Sequence, residues 1–542
     1  MLPVYVIYGT ETFNAEDLAH RTGDALEEAD VPVSVLDMAD FNAELLPHLH
    51  TLLIVTSTFG DGDPPSNAFA LHAALVGEAA PALPALRFSV CALGDTAYDH
   101  FCQCGKDFDA RLGALGATRL VPRQDCDVDF EPPWQVWLDR VLGVLEGEDF
   151  EALGGADAAT IEALEAAPAA PAAVGTRKNP FVATVVDNYN LNGPGASKET
   201  RHIALSLAGS GLHYKVGDSL GVFPRNCPDL VRRVLQGFDV DRDAPVEVDG
   251  DWISARDALI YRRDVVQIDP RLLALAAQGP QREALRALDV DRAKRQAFIE
   301  RYHVVDLAQR ARVRAEPAAL VAALRPLNPR LYSISSSPRA HPDEVHLTVD
   351  VLRYDLHGTG RKGVASTFLA ERAGPAVQVP IYLRSTRDFV LCDDDRHAIM
   401  CGPGTGVAPF RAFLEERAAR GALGHNWLFF GARHGETDFL YREQLEGYVE
   451  SGVLTRFDTA FSRDQGQKVY VQDRMEEAGD HLFAWLEAGA FFYICGDAAR
   501  MAKDVHAALG RIVARHGRMS PEDASAYLAE LSASGRYLKD VY

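Results

Sequence analysis

The sequence predicts a multidomain α/β protein with two parallel, doubly wound sheets, separated by an antiparallel barrel with a helical insert. The first observation is the length, because 542 residues exceed what one hydrophobic core supports. The second is that apolar runs alternate with helical patterns over residues 1–146 and again from about residue 396, as in parallel sheets. The third is a series of short strand patterns with turn residues from residue 180, which indicates antiparallel structure.

Three loops of the first region follow strand patterns and should meet in one crevice. They span residues 9–15, 56–65 and 92–101, after the apolar runs VYVIYG, LLIVTST and RFSVCALG. Ligands of doubly wound sheets bind at the carboxyl ends of the strands, where such loops converge. Each loop alone is compatible with ordinary helix capping, but the three together favour a flat ligand with a phosphate tail.

The side chains of these loops fit such a ligand. Thr10 and Thr12 precede a predicted helix, where backbone N–H groups and hydroxyls suit a phosphate. Phe59 and Tyr98 are placed to sandwich a planar ring, and Asp95 and Asp61 to meet its polar edges. Phe13 stands where a phosphate loop usually has glycine.

The middle of the chain combines a linker, a barrel and an insert. Residues 148–177 are rich in alanine and proline, which predicts a linker rather than a core. Strand patterns over 178–226 and 326–391 predict the barrel, and the helical Ala-, Leu- and Arg-rich stretch 227–325 predicts an insert. Within the barrel, the arginine of RLYSISSSP suits a diphosphate, and the glycine-led turn of KGVASTFL, residues 362–369, is a second candidate anion site.

The last region carries a glycine-rich loop, CGPGTGVAPFRAFL, between a strand and a helix. No acidic residue ends the next strand, NWLFFG, where an NAD site would bind a ribose hydroxyl. Ser462, Arg463 and Lys468 follow the third strand and suit a 2′-phosphate, which favours NADPH over NADH; a solvated basic turn is the alternative. Cys495 and Asp497 end a further strand, where a buried cysteine is usually structural.

Composition excludes several classes of protein. The formal net charge of -22 argues against a nucleic-acid partner. Residues 1–146 hold 23 acidic against 7 basic residues, which is either a solubility surface or a docking face for a basic protein. The eight cysteines show no metal-ligand spacing, so we expect no metal site and reduced thiols in a cytoplasmic protein. No apolar run is long enough to span a membrane.

Taken in order, these motifs resemble the diflavin reductases over essentially the whole chain. The stretches FCQCGKDFDARLGALG, LRPLNPRLYSISSSP, GPGTGVAPFRAFLEERAA, SRDQGQKVYVQD, CGDAARMAKDV and the terminal DVY carry the resemblance, which is strongest to the bacterial sulfite reductase flavoproteins. The resemblance implies a flavodoxin-like FMN-binding domain at 1–147, a linker at 148–177 and an FAD-binding barrel at 178–226 and 326–391. It also implies a helical connecting insert at 227–325 and a ferredoxin-reductase-like NADPH-binding domain at 392–542.

The resemblance also assigns site residues. For FMN it implies Thr10, Glu11, Thr12, Phe13, Asn14, Ala15, Thr56, Ser57, Thr58, Phe59, Gly60, Leu93, Gly94, Asp95, Tyr98 and Phe101. For FAD it implies Arg330, Tyr332, Ser333, Tyr354, Gly363, Val364, Ala365, Ser366 and Tyr542, whose ring would stack on the flavin. For NADPH it implies Gly404, Thr405, Ser462, Arg463, Lys468, Tyr470, Gln472 and Asp497. Ser333, Cys495, Asp540 and Tyr542 would assist hydride transfer.

The implied chemistry is electron transfer from NADPH through FAD and FMN to a haem protein, with a sirohaem sulfite reductase subunit docking on the acidic FMN domain as the leading acceptor. The linker would let that domain move between FAD and the acceptor. Another acceptor such as a soluble cytochrome P450 is the alternative, and a docking protein that has lost FMN is a third reading, favoured only by Phe13. Family members carry an N-terminal extension linked to oligomerisation, and this chain begins on its first strand, so we expect a different assembly.

Overall fold

The computed structural model describes residues 4–10, 14–58, 62–77, 80–96, 100–146, 174–177, 179–248, 250–278, 282–290, 292–311, 313–386, 389–498 and 500–542. The chain divides into two compact units, residues 1–172 together with Tyr542, and residues 173–541. Most of the predicted linker, residues 148–173, lies outside the described residues. In the described part, no helix has both the length and the apolarity needed to cross a membrane.

The first unit is built on a parallel sheet with strand order β2-β1-β3-β4-β5, and the short β6 pairs with β4. Its strands are β1 (Val4–Gly9), β2 (Val33–Asp37), β3 (Thr51–Ser57), β4 (Arg87–Leu93), β5 (Thr118–Arg119) and β6 (Gln124–Cys126). Its helices are α1 (Asn14–Glu28), α2 (Phe69–Val76), α3 (Gln103–Ala114) and α4 (Glu131–Leu145). This is the doubly wound order expected for a flavodoxin-like sheet.

Alternation along β1 explains why helices cover both faces of this sheet. Tyr5 and Ile7 pack into one hydrophobic cluster, and Val4 and Val6 pack into another on the opposite face. Successive strand residues point to opposite faces, so a run that is apolar at every position must be buried on both sides. The prediction of a parallel sheet from VYVIYG is thereby confirmed.

The second unit begins with a six-stranded antiparallel sheet in the order β12-β9-β16-β7-β8-β13. These strands are β7 (Phe181–Asn190), β8 (Thr200–Ser206), β9 (Ser219–Val222), β12 (Arg330–Ser333), β13 (Glu344–Asp350) and β16 (Gln378–Arg384). Directly after β12, Ile334 forms an antiparallel bridge with Leu347 of β13. This bridge brings the two edge strands together, as the predicted barrel requires. A separate hairpin follows, β14 (Arg353–Leu356) with β15 (Thr359–Lys362).

Helices dominate the stretch between β9 and β12. They are α5 (Pro228–Gly237), α6 (Ala255–Tyr261), α7 (Pro270–Ala276), α8 (Arg282–Val290), α9 (Arg292–Arg301), α10 (Val304–Ala311) and α11 (Pro317–Ala322). One hairpin, β10 (Pro245–Val248) with β11 (Asp251–Ser254), lies among them. These elements share a hydrophobic cluster of their own, which fits the predicted insert.

The last sheet is parallel and five-stranded, in the order β19-β18-β17-β20-β21. Its strands are β17 (Ala398–Cys401), β18 (Asn426–Ala432), β19 (Arg456–Phe461), β20 (Phe491–Gly496) and β21 (Tyr537–Val541). Helix α12 (Val364–Arg372) precedes β16 and packs in the core of the antiparallel sheet. The helices that accompany the last sheet are α13 (Ala408–Arg420), α14 (Gly435–Asp438), α15 (Arg442–Glu450), α16 (Val471–Glu477), α17 (Gly479–Glu487), α18 (Met501–Gly517) and α19 (Pro521–Ala533). The strand order reverses between β17 and β20, which is where such sheets bind their ligands.

Candidate functional site

The carboxylate of Asp540 joins two sheets of the second unit. Ser333 Oγ, at the end of β12, donates a hydrogen bond to Asp540 Oδ2 at 2.6 Å. Cys495 Sγ, near the end of β20, donates to the same oxygen at 3.5 Å. Three residues that are far apart in the sequence therefore meet at one atom.

Strand pairing explains this convergence. Because β20 and β21 are parallel neighbours, Cys495 lies directly opposite Asp540 in the register. Ser333 reaches them from the antiparallel sheet, where it pairs with Ser219 of β9. The sequence pattern predicted no strand at the C-terminus, and the structure shows that β21 is an edge strand of the parallel sheet. That strand fixes the position of Asp540.

Burial shifts both acidic groups of this cluster in the same direction. Burial raises the pKa of the Cys495 thiol well above its ordinary value, and the nearby Asp540 adds to the shift. The thiol therefore keeps its proton at neutral pH and acts as a donor. Burial also raises the pKa of Asp540 above the ordinary 3.8, partly offset by the hydrogen bonds from Ser333 and Cys495.

The resemblance assigns Asp540 to hydride transfer, and its raised pKa then predicts an acid limb in the pH profile of that reaction. As the pH falls through that raised pKa, the carboxylate gains a proton and loses its negative charge. We expect the rate of hydride transfer to fall there, at a pH above the ordinary carboxyl value of 3.8. Stopped-flow rates across the pH range check this, and Asp540→Asn should lack the limb. A limb retained in that variant would assign it to another group.

The strand that carries Ser333 also presents groups suited to a flavin nucleotide. Arg330 is exposed at the start of β12, and Tyr332 is half-buried. Among the described residues, the Arg330 guanidinium has no salt-bridge partner. Its N–H groups are therefore available to donate to a diphosphate. The donor set fits the diphosphate of FAD.

The second anion candidate of the barrel is a turn that leads into a helix. Gly363 precedes the nine-residue helix α12, with Val364 and Ala365 in its first turn. A Cβ on Gly363 would lie 2.9 Å from Leu352 Cβ, so this close approach requires glycine. Ser366 Oγ accepts from the backbone N–H of Leu352 at 3.1 Å, which fixes the helix start. Tyr354 lies on β14, partly exposed, with its hydroxyl 3.1 Å from His303 Nε2.

The glycine-rich loop packs against the strand that carries Cys495. It forms a short 3₁₀ helix, Gly404–Val407, and leads into α13. Gly404 has a φ of +58°, and nothing lies within 4 Å of the position where its Cβ would be, so the loop is open there. A Cβ on Gly406 would lie 2.1 Å from the carbonyl oxygen of Cys495. The loop residues Gly404 and Thr405 thus lie beside β20.

The basic turn after β19 is exposed, as a phosphate site requires. The Arg463 backbone N–H donates to the Arg433 carbonyl at 2.9 Å, and Asp464 accepts from the Gly435 N–H at 2.8 Å. Within the described residues, neither Arg463 nor Lys468 forms a salt bridge. Ser462 donates to the Ala432 carbonyl at 3.4 Å. The positive charges of Arg463 and Lys468 are therefore available, which fits a 2′-phosphate.

The other predicted NADPH residues lie at the start of α16 and just after β20. Tyr470 is 44% exposed and its backbone N–H donates to Asp473 Oδ2 at 2.8 Å, at the start of α16, which also carries Gln472. Asp497 follows β20 and accepts from the Arg500 N–H at 2.8 Å. Tyr542 follows β21 and is 55% exposed. Its stacking on a flavin stays a prediction.

The crevice of the first unit is described in part. Thr10 and Thr56 are fully buried at the ends of β1 and β3, and Ser57 Oγ donates to the Gly9 carbonyl at 3.4 Å. The Thr58 N–H donates to the Leu93 carbonyl at 2.9 Å, which joins two of the predicted loops. Also described are Asn14, Ala15, Gly94, Asp95 and Phe101. Glu11, Thr12, Phe13, Phe59, Gly60, Asp61 and Tyr98 lie outside the described residues, so their assignments stay predictions.

The structure adds Asn67 to this crevice. Its Oδ1 accepts from the Thr10 N–H at 2.8 Å, and its Nδ2 donates to the Tyr8 carbonyl at 3.2 Å and to Asp37 Oδ1 at 2.9 Å. It thereby fixes the first residue of the predicted phosphate loop. Sequence analysis missed it because an asparagine before a helix is indistinguishable from an ordinary cap.

Comparison with known proteins agrees with this arrangement. Family models match three parts of the chain: flavodoxin over residues 6–136, FAD binding domain over 175–368, and oxidoreductase NAD-binding domain over 397–507. A sulfite reductase (NADPH) flavoprotein alpha-component of Bacillus subtilis is 46% identical over 99% of this chain and 89% of its own length. Proteins of the same name from Vibrio cholerae and Cronobacter sakazakii are 40% and 41% identical over 99% of this chain, and over 87% and 90% of their own lengths.

The matched stretch of each relative covers 99% of this chain, which includes all three regions matched by the family models. The chain belongs to the family of sulfite reductase (NADPH) flavoprotein alpha-components.

Proposed function

We propose that this protein is an NADPH-dependent diflavin reductase that passes electrons from NADPH through FAD and FMN to the haemoprotein component of a sulfite reductase. The convergence of Ser333 and Cys495 on Asp540 Oδ2 carries the proposal. It joins the strand suited to FAD to the sheet suited to NADPH, and hydride transfer needs the two ligands side by side. The domain limits at residues 147, 177 and 391 form part of the proposal, supported by the ends of the three sheets.

Each residue of this cluster has a distinct role in the proposal. Asp540 supplies a negative charge that stabilises the positive charge a nicotinamide ring gains as hydride leaves it. Ser333 and Cys495 hold the carboxylate in one orientation through their donated hydrogen bonds. Tyr542, one residue beyond β21, would cover the flavin face until the nicotinamide displaces it.

The flavins supply the redox chemistry when bound, because they accept electrons in pairs and release them singly. The chain's own residues bind and orient them. Arg330 would pair with the FAD diphosphate, and the Gly363 turn would approach it through backbone N–H groups. In the first unit, Thr10 and the start of α1 at Asn14 would hold the FMN phosphate.

The exposed basic turn predicts the choice of nicotinamide nucleotide. Arg463→Ala combined with Lys468→Ala removes two positive charges that would contact the 2′-phosphate. Because hydrogen bonds to charged groups contribute about 1.5–3 kcal/mol each, we expect the KM for NADPH to rise by at least tenfold. The KM for NADH, which lacks that phosphate, should change little. Steady-state kinetics with both nucleotides checks this. Equal changes in the KM values for NADPH and NADH would show that the turn does not bind the 2′-phosphate.

The acceptor is proposed from the relatives and from charge. The relatives' name describes an alpha-component of sulfite reductase, which implies a further component that receives the electrons. The first 146 residues hold 23 acidic residues and only 7 basic ones, which supports docking of a basic protein surface there. The eight free cysteines fit a cytoplasmic location.

Adding a sirohaem sulfite reductase component to the holoprotein tests the acceptor. We expect sulfite-dependent oxidation of NADPH, slowed by salt because exposed charges are screened within about 10 Å at 0.1 M. A soluble cytochrome P450 serves as the comparison. Faster reduction of the P450 than of the sirohaem protein would reject the proposed acceptor while leaving the flavin chemistry in place.

A further inference from the structure

Helix α13 carries two consecutive buried carboxylates. Glu415 is 4% exposed and Glu416 is 3% exposed. An ionised carboxylate is costly to bury unless charged or hydrogen-bonding partners surround it. Several of their partners come from the stretch just after β12, the strand that ends at Ser333.

The contacts between this stretch and α13 are short and specific. The Ser337 backbone N–H donates to Glu415 Oε2 at 2.9 Å, and Ser337 Oγ donates to Glu416 Oε2 at 2.5 Å. Arg339 Nε donates to Glu416 Oε1 at 3.0 Å. We call the set Ser335, Ser337, Arg339, Arg411, Glu415 and Glu416 the tether.

Arg411 completes the tether from the first turn of α13. Its Nη1 donates to the Ser335 carbonyl at 2.5 Å, and its Nη2 lies 2.8 Å from Glu415 Oε1. Gln444 Nε2 also donates to Glu415 Oε1, at 2.9 Å. Arg411 is 7% exposed, so its positive charge balances the buried carboxylate in a poorly solvated site.

A neighbouring group resembles a metal site but lies against this same arginine. His341, Glu344 and His346 each offer one ligand atom, all within 4.8 Å of one another. Arg411 Nη1, however, lies 3.4 Å from His346 Nδ1, and His346 Nε2 lies 2.8 Å from Glu344 Oε2. The guanidinium already supplies the positive charge that these groups attract, so we assign them to the surroundings of the tether rather than to a cation.

We propose that Glu415 and Glu416 are positioning residues for hydride transfer. Helix α13 follows the glycine-rich loop directly, and Ser335 is two residues beyond Ser333. The tether therefore fixes the serine of the flavin strand relative to the loop proposed to hold NADPH. The hydrogen bond from Ser333 to Asp540 is a second contact between the flavin strand and the parallel sheet. Two separate contacts fix both the distance and the orientation between these two elements. This proposal rests on the function proposed above.

Paired variants of the full-length holoprotein test the tether. Glu416→Gln keeps the size of the side chain and removes its charge. Ser337→Ala removes the hydroxyl that donates to Glu416, whereas Ser337→Thr keeps a hydroxyl at the same position. Glu446→Gln, at an exposed position of α15, is the matched control. None of these residues is placed in contact with a nucleotide.

The readout is the pre-steady-state rate of flavin reduction by NADPH and by NADPH deuterated at the transferred position. Because misplacement by about 1 Å costs up to 100-fold in rate, we expect Glu416→Gln and Ser337→Ala to slow reduction roughly tenfold at saturating NADPH. The isotope effect should rise as the hydride step becomes more rate-limiting, with one FAD still bound per chain. Ser337→Thr and the control should match the wild type.

The outcomes separate the two proposals. If the amplitude of flavin reduction falls while its rate constant and isotope effect stay unchanged, active protein has been lost and the reacting groups are not misplaced. That result overturns the tether proposal. Wild-type rates in both Glu416→Gln and Ser337→Ala also overturn it. If NADPH does not reduce the flavins of the wild-type protein, the proposed function fails first, and the tether proposal fails with it.

Discussion

Replacing Asp540 with asparagine is expected to slow the reduction of FAD by NADPH by about a hundredfold, the scale of losing one preorganised electrostatic contact in an active site. The amide keeps the shape of the side chain but loses the charge opposite the nicotinamide. Ser333 and Cys495 both donate to one oxygen of Asp540, and the amide oxygen of asparagine can still accept from both, so the lost charge is the main change. The measurement is stopped-flow reduction at saturating NADPH.

Asp395→Asn is the matched control, because that carboxylate is exposed in the loop before β17. It should leave the rate unchanged. Flavin content should be normal in both variants, since neither residue is assigned to flavin retention. A wild-type rate in Asp540→Asn would show that the charge of Asp540 plays no part in hydride transfer.

Replacing Gly406 with alanine is expected to destabilise the NADPH-binding part of the chain and to suppress its use of NADPH. The added Cβ would lie 2.1 Å from the Cys495 carbonyl oxygen, a backbone atom that moves only with β20. Forcing an extra carbon into packed structure costs about 1–3 kcal/mol of unfolding free energy. Shifting β20 also moves Cys495 away from Asp540, so we expect the hydride rate to fall by about a hundredfold.

Gly447→Ala is the control for this change, because nothing lies within 4 Å of the position of its Cβ in helix α15. Alanine is favoured over glycine inside helices by about 0.5–1 kcal/mol, so this control should be as stable as the wild type or more stable. Thermal unfolding and NADPH-dependent flavin reduction are measured for both proteins. Equal melting temperatures for Gly406→Ala and the wild type would contradict the close approach of the loop to β20.

Local patterns were sufficient to predict the three sheets. Strand β1 is apolar at every position because both of its faces are buried, and β17 behaves in the same way. The glycine-rich loop was recognisable because it lies between a strand and a helix, and the observed 3₁₀ helix and α13 confirm that context.

Other elements carry no comparable signal. Strand β2, VSVLD, is only half-buried, and β5 has two residues, so neither stands out from a loop in the sequence. Strand β21 contains Lys539 and Asp540 and lies at the end of the chain, where fraying is the usual expectation. Its place in the sheet depends on pairing with β20, which is a long-range contact.

The site itself was predicted in its residue types but not in its geometry. Ser333, Cys495 and Asp540 were identified through the resemblance, and only the strand register shows that they share one oxygen atom. Asn67, Glu415 and Glu416 were not identified, because buried polar partners are defined by what surrounds them in three dimensions.

Anaerobic titration of the purified holoprotein with NADPH tests whether this chain carries electrons from NADPH to two flavins. We expect one FAD and one FMN released per chain on extraction, and reduction of both flavins by NADPH, with a far weaker response to NADH. Flavins that are bound in that ratio but stay oxidised in the presence of NADPH would contradict this expectation.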